Sequence, residues 1–535
     1  MALVINTNLS SIKAQINLEK TQFSLSTALQ RISSGLRINS PKDDAAGLAI
    51  SQRLTSQIGK LGQAIKNAND GISFVQSAEG ALQEVSAMLQ RIQELATQSL
   101  SAATSPTDRN LLQAQVIQLN QEIGRIAEEA EFNGQKVLTG KVVNAEFQVG
   151  IRAEQTIRIT IPLTAASNIG NYSIKTDNTG EFAIGAPNLG FEKNAAPGNF
   201  VRSQTLTIRG FSSGQAGAEI GVAEGETAKS IAEKVNTVEA LTGVTAVASS
   251  YATLEDVYDV AASAEQKISF NLYGANAKGT DSSDTSNAVL ISAKITSASE
   301  DGLRDLISAI NDKSFITGVR AKVITERVDG QDIVKVALSN GGADISIETF
   351  RNDPVGGETP GTVDAIEMTV GGFKGTQSVR LTEASEQDSV TVGGTVTFNS
   401  AKTFTVTSDL DASSSLFISG VEGVPQTADF YALSSANLST EEDSKSALLA
   451  ATSALDFISS LRGDLGAVQN RFESTLSNLG AIKENTETAR SRILDADFAQ
   501  ETARLTRAQV LQQAGIAILA QANTTPQAVL ALLRT

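Results

Sequence analysis

The amino-acid sequence predicts a protein that is mainly α-helical at both termini, where the N- and C-terminal segments form a long antiparallel helical bundle or coiled coil. Between them it predicts a β-rich, α+β insertion of small domains. Apolar residues near both termini recur at steps of four and three, which is typical of heptad seams. The middle of the chain instead alternates apolar and polar residues, as strands do. A chain of 535 residues is long enough for about three or four domains.

The N-terminal region contains three helical patterns. Apolar residues in 5–36 predict a first helix that ends near Gly35. A second helix is predicted over 47–100, and at 1.5 Å per residue it would be about 80 Å long. After a turn at Ser105–Asp108, the same steps in 112–126 predict a third helix that folds back on the second.

The C-terminal region has the same heptad-like pattern of apolar residues. Heptad-like apolar residues in 451–479 and in 494–522 predict two further helices. Helices at both ends carry apolar stripes that have no partner nearby in the sequence. The simplest arrangement that covers these stripes pairs the two ends of the chain with each other. Two unrelated coiled-coil segments are the alternative.

The middle of the chain, from about 175 to 435, has strand patterns separated by Gly, Ser, Thr and Asp. A hairpin is predicted just before it, with strands at 146–151 and 156–162. The clearest strand patterns within the insertion are Thr205–Arg209, Ile268–Tyr273, Ile333–Leu338 and Val390–Val392.

An internal repeat with a spacing of 75 residues lies within the insertion. Each copy predicts a short helix, a glycine turn and a strand, so we expect two related modules in series; chance similarity is the alternative. The first copy comprises Ile231, Val235, Asn236, Thr242, Gly243, Val244 and Ala246. The second comprises Leu306, Ile310, Asn311, Thr317, Gly318, Val319 and Ala321.

The composition excludes several classes of function. With 43 Lys and Arg against 59 Asp and Glu, the net charge of −16 disfavours nucleic acid as a partner. The absence of Cys and His removes disulfides, zinc sites of the usual type and Cys-His or Ser-His nucleophiles. Carboxylate pairs such as Asp43–Asp44 and Glu441–Asp443 are adjacent in sequence, so they do not face each other across a cleft. We therefore predict no enzyme and no catalytic, cofactor or metal site.

We expect neither a membrane span nor a cleaved signal peptide. Residues 1–20 lack a basic start followed by an apolar stretch. The uncharged stretch 508–533 could reach across a bilayer, but it contains several Gln residues together with Gly515 and Pro526. These residues make a membrane-spanning helix unfavourable.

The terminal helices are instead suited to association. They are rich in Gln, Asn and Ser and nearly free of charge at the C-terminal end, so they lose little on desolvation against copies of themselves. A heterologous contact repeated without closure gives a helical filament; a self-contained monomer with a helical stalk is the alternative. The residues expected at the contact between copies are Ile5, Leu9, Ile12, Ile16, Phe23, Leu505, Leu511, Ile518 and Leu519.

Several longer motifs occur in the same order at both ends of the sequence. The N-terminal motifs are Met1–Asn8, Arg31–Asn39, Lys42–Gly47 and Asn67–Ser73. The C-terminal motifs are Asp464–Phe472, Ala489–Ile493, Arg507–Gly515 and Leu519–Asn523. With these motifs, both ends of the sequence resemble the bacterial flagellins, over about 1–165 and 440–535. The repeated middle is similar, more weakly, to the insert modules of longer flagellins.

The resemblance implies a structural subunit that polymerises into the flagellar filament for swimming motility. The family's architecture implies inner-tube helices in 1–42 with 490–535, and an outer-tube helical rod with a hairpin in 43–175 with 437–489. The remaining 176–436 would be a variable, surface-exposed insertion. Its expected parts are two repeat modules at about 200–262 and 263–350 and a further strand-rich part at 351–436.

The family also implies a route and partners. The subunit would leave the cell unfolded through the flagellar secretion channel, without a cleaved signal peptide, and become part of the extracellular flagellum. Its expected partners are other copies of itself, an export chaperone that holds the C-terminal helices, and the cap and hook-associated proteins. Two alternatives remain: a hook–filament junction protein, which shares the terminal patterning, and an exported enzyme carried in the insertion.

Flagellins are in addition detected by innate immune receptors. Elements of the family's Toll-like receptor patch match Leu89–Arg91 and Glu94–Ala96, which implies contacts by Arg91 and Leu95. Gln115 stands where the family often has Glu, and the missing charge implies weaker recognition. Packing of helix faces is the competing explanation for all these residues. The hydrophobic tail read by cytosolic receptors is matched by Val529, Leu530, Leu532 and Leu533.

Overall fold

The computed structural model falls into two compact units. The first unit comprises Met1–Gly80, Ala130–Pro162 and Arg462–Thr535, and the second comprises Ala81–Glu129 and Leu163–Leu461. The structure describes residues 7–101, 103–176, 187–189, 197–211, 217–257, 266–276, 286–328, 331–354, 367–372, 378–382, 388–410, 415–417 and 423–532.

Helices occupy both ends of the described chain, and short ones occur in the insertion. They are α1 Leu9–Ser34, α2 Ala45–Ser99, α3 Pro106–Glu129, α4 Ala228–Thr237, α5 Glu239–Thr242, α6 Arg304–Asp312, α7 Ser314–Thr317, α8 Glu441–Leu494 and α9 Phe498–Leu532, with a 3-10 turn at Leu433–Ser435.

Strands begin after α3 and continue to α8. They are β1 Glu131–Phe132, β2 Gln135–Lys136, β3 Thr139–Gln148, β4 Thr156–Leu163, β5 Gly170–Lys175, β6 Pro187–Leu189, β7 Gln204–Arg209, β8 Ala218–Val222, β9 Thr245–Glu255, β10 Gln266–Tyr273, β11 Val289–Ile295, β12 Arg320–Val328, β13 Gln331–Asn340, β14 Ile345–Pro354, β15 Glu367–Gly371, β16 Ser378–Thr382, β17 Val390–Val392, β18 Gly394–Ser400, β19 Thr405–Ser408, β20 Gln426–Thr427 and β21 Asp429–Ala432.

The predicted fold class is confirmed: the termini are helical and the centre is β-rich. Local signals explain the helix ends. The first helix stops where Gly35 adopts a left-handed φ of 69°. The third begins at Pro106, where Ser105 and Asp108 bind each other reciprocally: the Ser105 hydroxyl donates to the Asp108 carboxylate at 2.7 Å and accepts from the Asp108 N–H.

Helix α8 is longer at both ends than the apolar pattern of 451–479 predicts. At its start, the Thr440 hydroxyl accepts the Asp443 N–H, and acidic residues fill the first turn. Beyond Leu479 the sequence is mostly polar. Between Gly480 and the end of the helix, however, it contains no further Gly and no Pro that would stop the helix. Apolar periodicity marks the buried face, so it misses helical turns that are exposed or polar.

Within the first unit, α2 and α8 pack antiparallel. Leu61 and Ala64 of α2 contact Leu479 of α8 in one small apolar cluster. Near the other end, Glu79 binds Arg462 at 2.8 Å. The predicted pairing of helices from the two ends of the chain is therefore present here.

Phe472 of α8 is fully buried between these helices. A Cβ atom built on Gly71 of α2 would lie 2.5 Å from the Phe472 ring, so only glycine leaves room for it. The ring packs edge-on against Phe147, with centroids 5.7 Å apart, and Phe147 contacts Phe74. The backbone of α2 thus approaches α8 closely at Gly71.

Two hairpins lie in the first unit. The predicted hairpin is confirmed as β3–β4, with β3 starting earlier than expected. The tight hairpin β1–β2 was not predicted. Its turn is Asn133–Gly134, with φ of 49° and 77°, a sequence pattern that favours such turns.

The second unit holds the insertion. All four of its clearest predicted strand patterns are confirmed, within β7, β10, β13 and β17. Its sheets are antiparallel where the register is defined, with strand orders β12-β13-β9-β18-β5-β21, β11-β10-β14-β17-β6 and β20-β19-β7-β8. Strands β15 and β16 join the first of these sheets beside β9.

The sequence repeat corresponds to a repeated structure of helix, glycine turn and strand. In the first copy, the Asn236 side chain accepts the Ala246 N–H at 2.7 Å and donates to its carbonyl at 3.0 Å. Asn311 binds Ala321 in the same way, at 2.9 Å for both bonds. The helix of each copy is therefore tied to its own strand. Each copy also lines a separate hydrophobic core.

Candidate assembly interface

Helices α1 and α9 of the first unit form an antiparallel pair. Near one end of the pair, the Asn8 side chain donates to the Ala522 carbonyl at 2.9 Å. Near the other, the Arg37 N–H donates to the Leu494 carbonyl and the Ala496 N–H donates to the Gly35 carbonyl. The first and last helices of the described chain therefore lie side by side.

A buried carboxylate fixes the register of this pair. Glu501 is 3% exposed and accepts hydrogen bonds from Arg31 at 3.1 Å and from Arg504 at 2.9 Å. A carboxylate removed from water needs such partners, because an unpaired buried charge is strongly unfavourable. The sequence pattern gave no sign of this cluster.

Apart from Glu501, the side chains buried in the described part of the pair are small. In α1 the buried residues are Ser11, Ala14 and Ala28, and in the described part of α9 they are Glu501 and Ala508. Two helices can approach closely along such a stripe, but little apolar surface is covered in the process. The large apolar residues of the heptad pattern, which we expected to cover each other, lie outside this buried stripe.

Large apolar side chains of the pair point to solvent. Phe23 is 64% exposed and Ile518 is 60% exposed. Of the residues expected at the contact between copies, Leu9, Ile12, Ile16, Phe23, Leu511 and Ile518 are exposed, whereas Leu505 and Leu519 are half-buried. Ile5 lies outside the described residues. Sequence reasoning missed four further exposed residues, which are Leu29, Phe498, Val510 and Ile516.

The exposed residues named here, together with Leu505 and Leu519, are called the terminal apolar face below. A helix pair that exposes this many large apolar side chains is a candidate site of association. Soluble monomers normally cover their Phe, Leu and Ile side chains before their Ala and Ser. This helix pair has the opposite arrangement.

The acidic pair Asp43–Asp44 lies in the loop between α1 and α2 and is structural, as expected. The Asp43 carboxylate accepts hydrogen bonds from the Ser40 N–H, the Ser40 hydroxyl and the Asn39 N–H, which lower its pKa. Asp44 accepts the Gly47 N–H in the first turn of α2. Both carboxylates therefore accept hydrogen bonds from nearby backbone N–H groups.

The residues matched to a receptor patch belong to the second unit. Arg91 is exposed and pairs with Glu94 at 2.6 Å, and Gln115 is exposed. Leu95 is 1% exposed, so its side chain packs inside the protein. For the C-terminal tail, Val529, Leu530 and Leu532 belong to helix α9 but their side chains are outside the description, as is the whole of Leu533.

The described residues contain no group of three or more acidic side chains placed to hold a metal ion. Among the helices that the structure describes, none is long and apolar enough to cross a membrane.

Comparison with known proteins gives three family matches. Residues 5–142 match the bacterial flagellin N-terminal helical region, and 448–533 match the bacterial flagellin C-terminal helical region. Residues 269–341, which include the second repeat copy, match the flagellin hook IN motif.

Similar full-length proteins include B-type flagellin of Pseudomonas aeruginosa, which is 37% identical, and a flagellin of Salmonella choleraesuis, which is 35% identical. Each alignment covers 100% of this chain and 100% of the relative. Among solved structures, FliC from Burkholderia pseudomallei matches with a TM-score of 0.28 at 17% identity, over 75% of this chain and 99% of that one.

Proposed function

This chain belongs to the bacterial flagellin family, and from that premise we propose that its copies assemble into the filament through the terminal apolar face. Membership of the family makes the chain a structural filament subunit.

The exposure of large apolar side chains on α1 and α9 carries the proposal. Fully burying one Leu, Ile or Phe side chain contributes about 1.5–3 kcal/mol relative to leaving it in water. The terminal apolar face leaves that free energy unused in the single chain. Neighbouring copies that cover this face would recover it, and a repeated contact without closure produces a filament.

Two other interpretations receive less support. A self-contained monomer with a helical stalk does not account for Phe23 and Ile518 in solvent. A hook–filament junction protein shares the terminal helices, but the relatives that match this chain from end to end bear the name flagellin.

We further propose that α1 with α9 forms an inner layer of the filament and that α2, α3 and α8 form the next layer. The domain division at 42/43, 175/176, 436/437 and 489/490 belongs to this proposal. Two hydrophobic clusters of the insertion consist almost entirely of its own residues. The insertion would face the surroundings of the filament.

The route and remaining partners are likewise proposed. Export through the flagellar channel without a cleaved signal peptide, a chaperone for the C-terminal helices, and contacts with cap and hook-associated proteins follow from the family's biology. The exposed apolar residues of α9 support the need for a chaperone, because they would otherwise aggregate before export.

For innate immune receptors, the exposure of Arg91 and Gln115 supports direct contact, whereas the burial of Leu95 favours a packing role for that residue. We propose no catalytic activity, since the sequence lacks Cys and His and the role of the family is structural.

Seeded elongation tests the central proposal. Short filament fragments would be mixed with purified full-length protein, and growth would be followed by light scattering and electron microscopy. We expect Phe23→Ala with Ile518→Ala to reduce elongation strongly and deletion of 495–535 to abolish it.

The matched control is Phe315→Ala, because Phe315 of α7 is 99% exposed but lies in the insertion. This variant should elongate like the unmodified protein. Normal elongation by the Phe23→Ala, Ile518→Ala variant, with helical content unchanged by circular dichroism, would refute the terminal apolar face as the assembly surface.

A further inference from the structure

The sequence contains two Asn-Gly pairs, Asn133–Gly134 and Asn340–Gly341, and they have different surroundings. Asn-Gly is the dipeptide in which an asparagine side chain is most open to attack by the next backbone nitrogen, because glycine has no side chain to hinder the approach. Asparagine is accordingly among the thermolabile residues.

At the end of β13, the backbone nitrogen of Gly341 is hydrogen-bonded to the side-chain amide of Asn340. The Gly341 N–H donates to Oδ1 of Asn340 at 2.6 Å, in a position exposed to solvent. The attacking nitrogen therefore lies beside the side-chain amide of the preceding residue. Holding two groups together in this way raises the rate of their reaction.

The nitrogen of the Asn340 amide is not stabilised by a hydrogen bond. This atom, Nδ2, is buried and has no acceptor among the described residues. Buried polar groups are normally hydrogen-bonded, so an exception calls for an explanation. The repeat asparagines Asn236 and Asn311, in contrast, donate from Nδ2 to backbone carbonyls. Departure of the Asn340 Nδ2 as ammonia breaks no hydrogen bond within the described structure.

Two glycines lie beside the Asn340 side chain. A Cβ atom on Gly274 would lie 2.8 Å from Nδ2, and one on Gly318 would lie 3.1 Å from Oδ1. The amide therefore occupies space that larger residues at these positions would take. Gly318 is the glycine turn of the second repeat copy, so the position of the amide depends on the packing of that copy.

We propose that Asn340 is a site of spontaneous, structure-assisted deamidation. The Gly341 nitrogen loses its proton to solvent and attacks Cγ of Asn340, forming a new C–N bond. The Cγ–Nδ2 bond breaks, and ammonia leaves after taking a proton from solvent. Water then opens the resulting succinimide at either carbonyl, giving aspartate or isoaspartate without any oxidant or reductant.

Asn133–Gly134 provides an internal control with the same dipeptide. It forms the turn of β1–β2, with both residues at positive φ and Asn133 exposed. In that described turn, no hydrogen bond joins the Gly134 N–H to the Asn133 side chain. Because the dipeptide is the same, a difference in deamidation rate between the two sites reports on their structural surroundings and flanking residues, and not on the Asn-Gly pair itself.

The experiment is peptide mapping by mass spectrometry after incubation of the folded, full-length protein at mildly alkaline pH. We expect deamidation at Asn340 to be at least about fivefold faster than at Asn133. Fragmentation that distinguishes isoaspartate from aspartate should show both products at 340. Equal rates at the two sites, or a faster rate at Asn133, would overturn the proposal.

Gly341→Ala is the matched variant. A Cβ at Gly341 meets nothing within 4 Å, and Gly341 is not among the glycines at positive φ, so the fold should tolerate it. The added methyl group hinders the attack, and deamidation at 340 should fall while the rate at 133 stays unchanged. An unchanged rate at 340 in this variant would also refute the mechanism. If the variant were misfolded, the two-site comparison in the unmodified protein would still decide.

Discussion

The terminal helix pair and the insertion bury opposite kinds of side chain. In the insertion, Phe270, Phe350 and Phe398 are fully buried. In the α1–α9 pair, Ala and Ser lie inside whereas Phe23 and Ile518 lie in solvent. The insertion thus buries many of its large apolar residues within one chain, although some, such as Phe315, remain exposed. In the described part of the helix pair, the buried residues include no Phe, Leu or Ile. The presence of a core of large side chains, and not the exposure of single ones, separates the two regions.

The largest expected effect is on the insertion. Phe398→Ala removes a fully buried ring that packs against Phe417 in the first repeat's core. We expect a loss of about 3–5 kcal/mol in the free energy of unfolding of this region. Hydrogen exchange of the full-length protein, followed on peptides from β7 and β18, measures it.

The control for this comparison is Phe315→Ala, at an exposed position of the same insertion. This substitution should change the free energy of unfolding of the insertion by less than about 0.5 kcal/mol. Comparable losses in the two variants would contradict the assignment of an independent, well-packed core.

The next effect concerns the charged cluster of the helix pair. Glu501→Gln leaves Arg31 and Arg504 without their shared carboxylate. We expect the pair to lose about 2 kcal/mol of stability, since hydrogen bonds to charged groups contribute more than neutral ones. Exchange protection in α1 and α9 should fall while that of β18 remains. Equal loss of protection in both regions would show that the two regions do not unfold separately.

A smaller effect is a pH dependence confined to the insertion. Burial raises the pKa of Asp344 to about 7, although hydrogen bonds from the Asn199 side chain and the Gly394 N–H oppose the shift. Because the folded pKa lies above the usual value of 3.8, the contribution to stability is complete below pH 3.8 and is lost as the pH rises toward 7.

Asp344→Asn should remove this dependence, with a difference of about 1–2 kcal/mol between pH 5 and pH 8 for the unmodified protein. Denaturant unfolding at the two pH values, monitored on insertion peptides, tests it. An identical pH profile in the variant would contradict the role of Asp344.

The smallest expected effect on the single chain is that of Phe23→Ala. An exposed ring contributes little to monomer stability, so we expect a change below about 0.5 kcal/mol. Denaturant unfolding of the unassembled protein measures it. A loss as large as that of Phe398→Ala would mean that Phe23 packs within the chain, and the contrast between the two regions would fail.

Much of this architecture could be predicted from the sequence. Heptad steps located the long helices, period-two runs located the strands of the insertion, and the spacing of Asn236 and Asn311 located the repeated unit. Each of these signals is local, because a residue's neighbours along the chain fix the period.

The structural features that the sequence did not predict depend mostly on contacts between residues that are distant in the chain. Periodicity identifies an apolar stripe but does not say what covers it, so the buried stripe of Ser11, Ala14, Ala28 and Ala508 between α1 and α9 was not predicted. The pairing of Glu501 with Arg31 joins residues from opposite ends of the chain. The β1–β2 hairpin is different, because Asn133–Gly134 was a readable turn signal that was overlooked.

The contact between Gly71 and Phe472 makes two distant positions interdependent. Since a Cβ at Gly71 would overlap the ring, enlargement at 71 is tolerable only if the side chain at 472 shrinks. Across natural variants the two positions should therefore change together or not at all. A Gly71→Ala, Phe472→Leu double substitution should restore much of what Gly71→Ala alone removes.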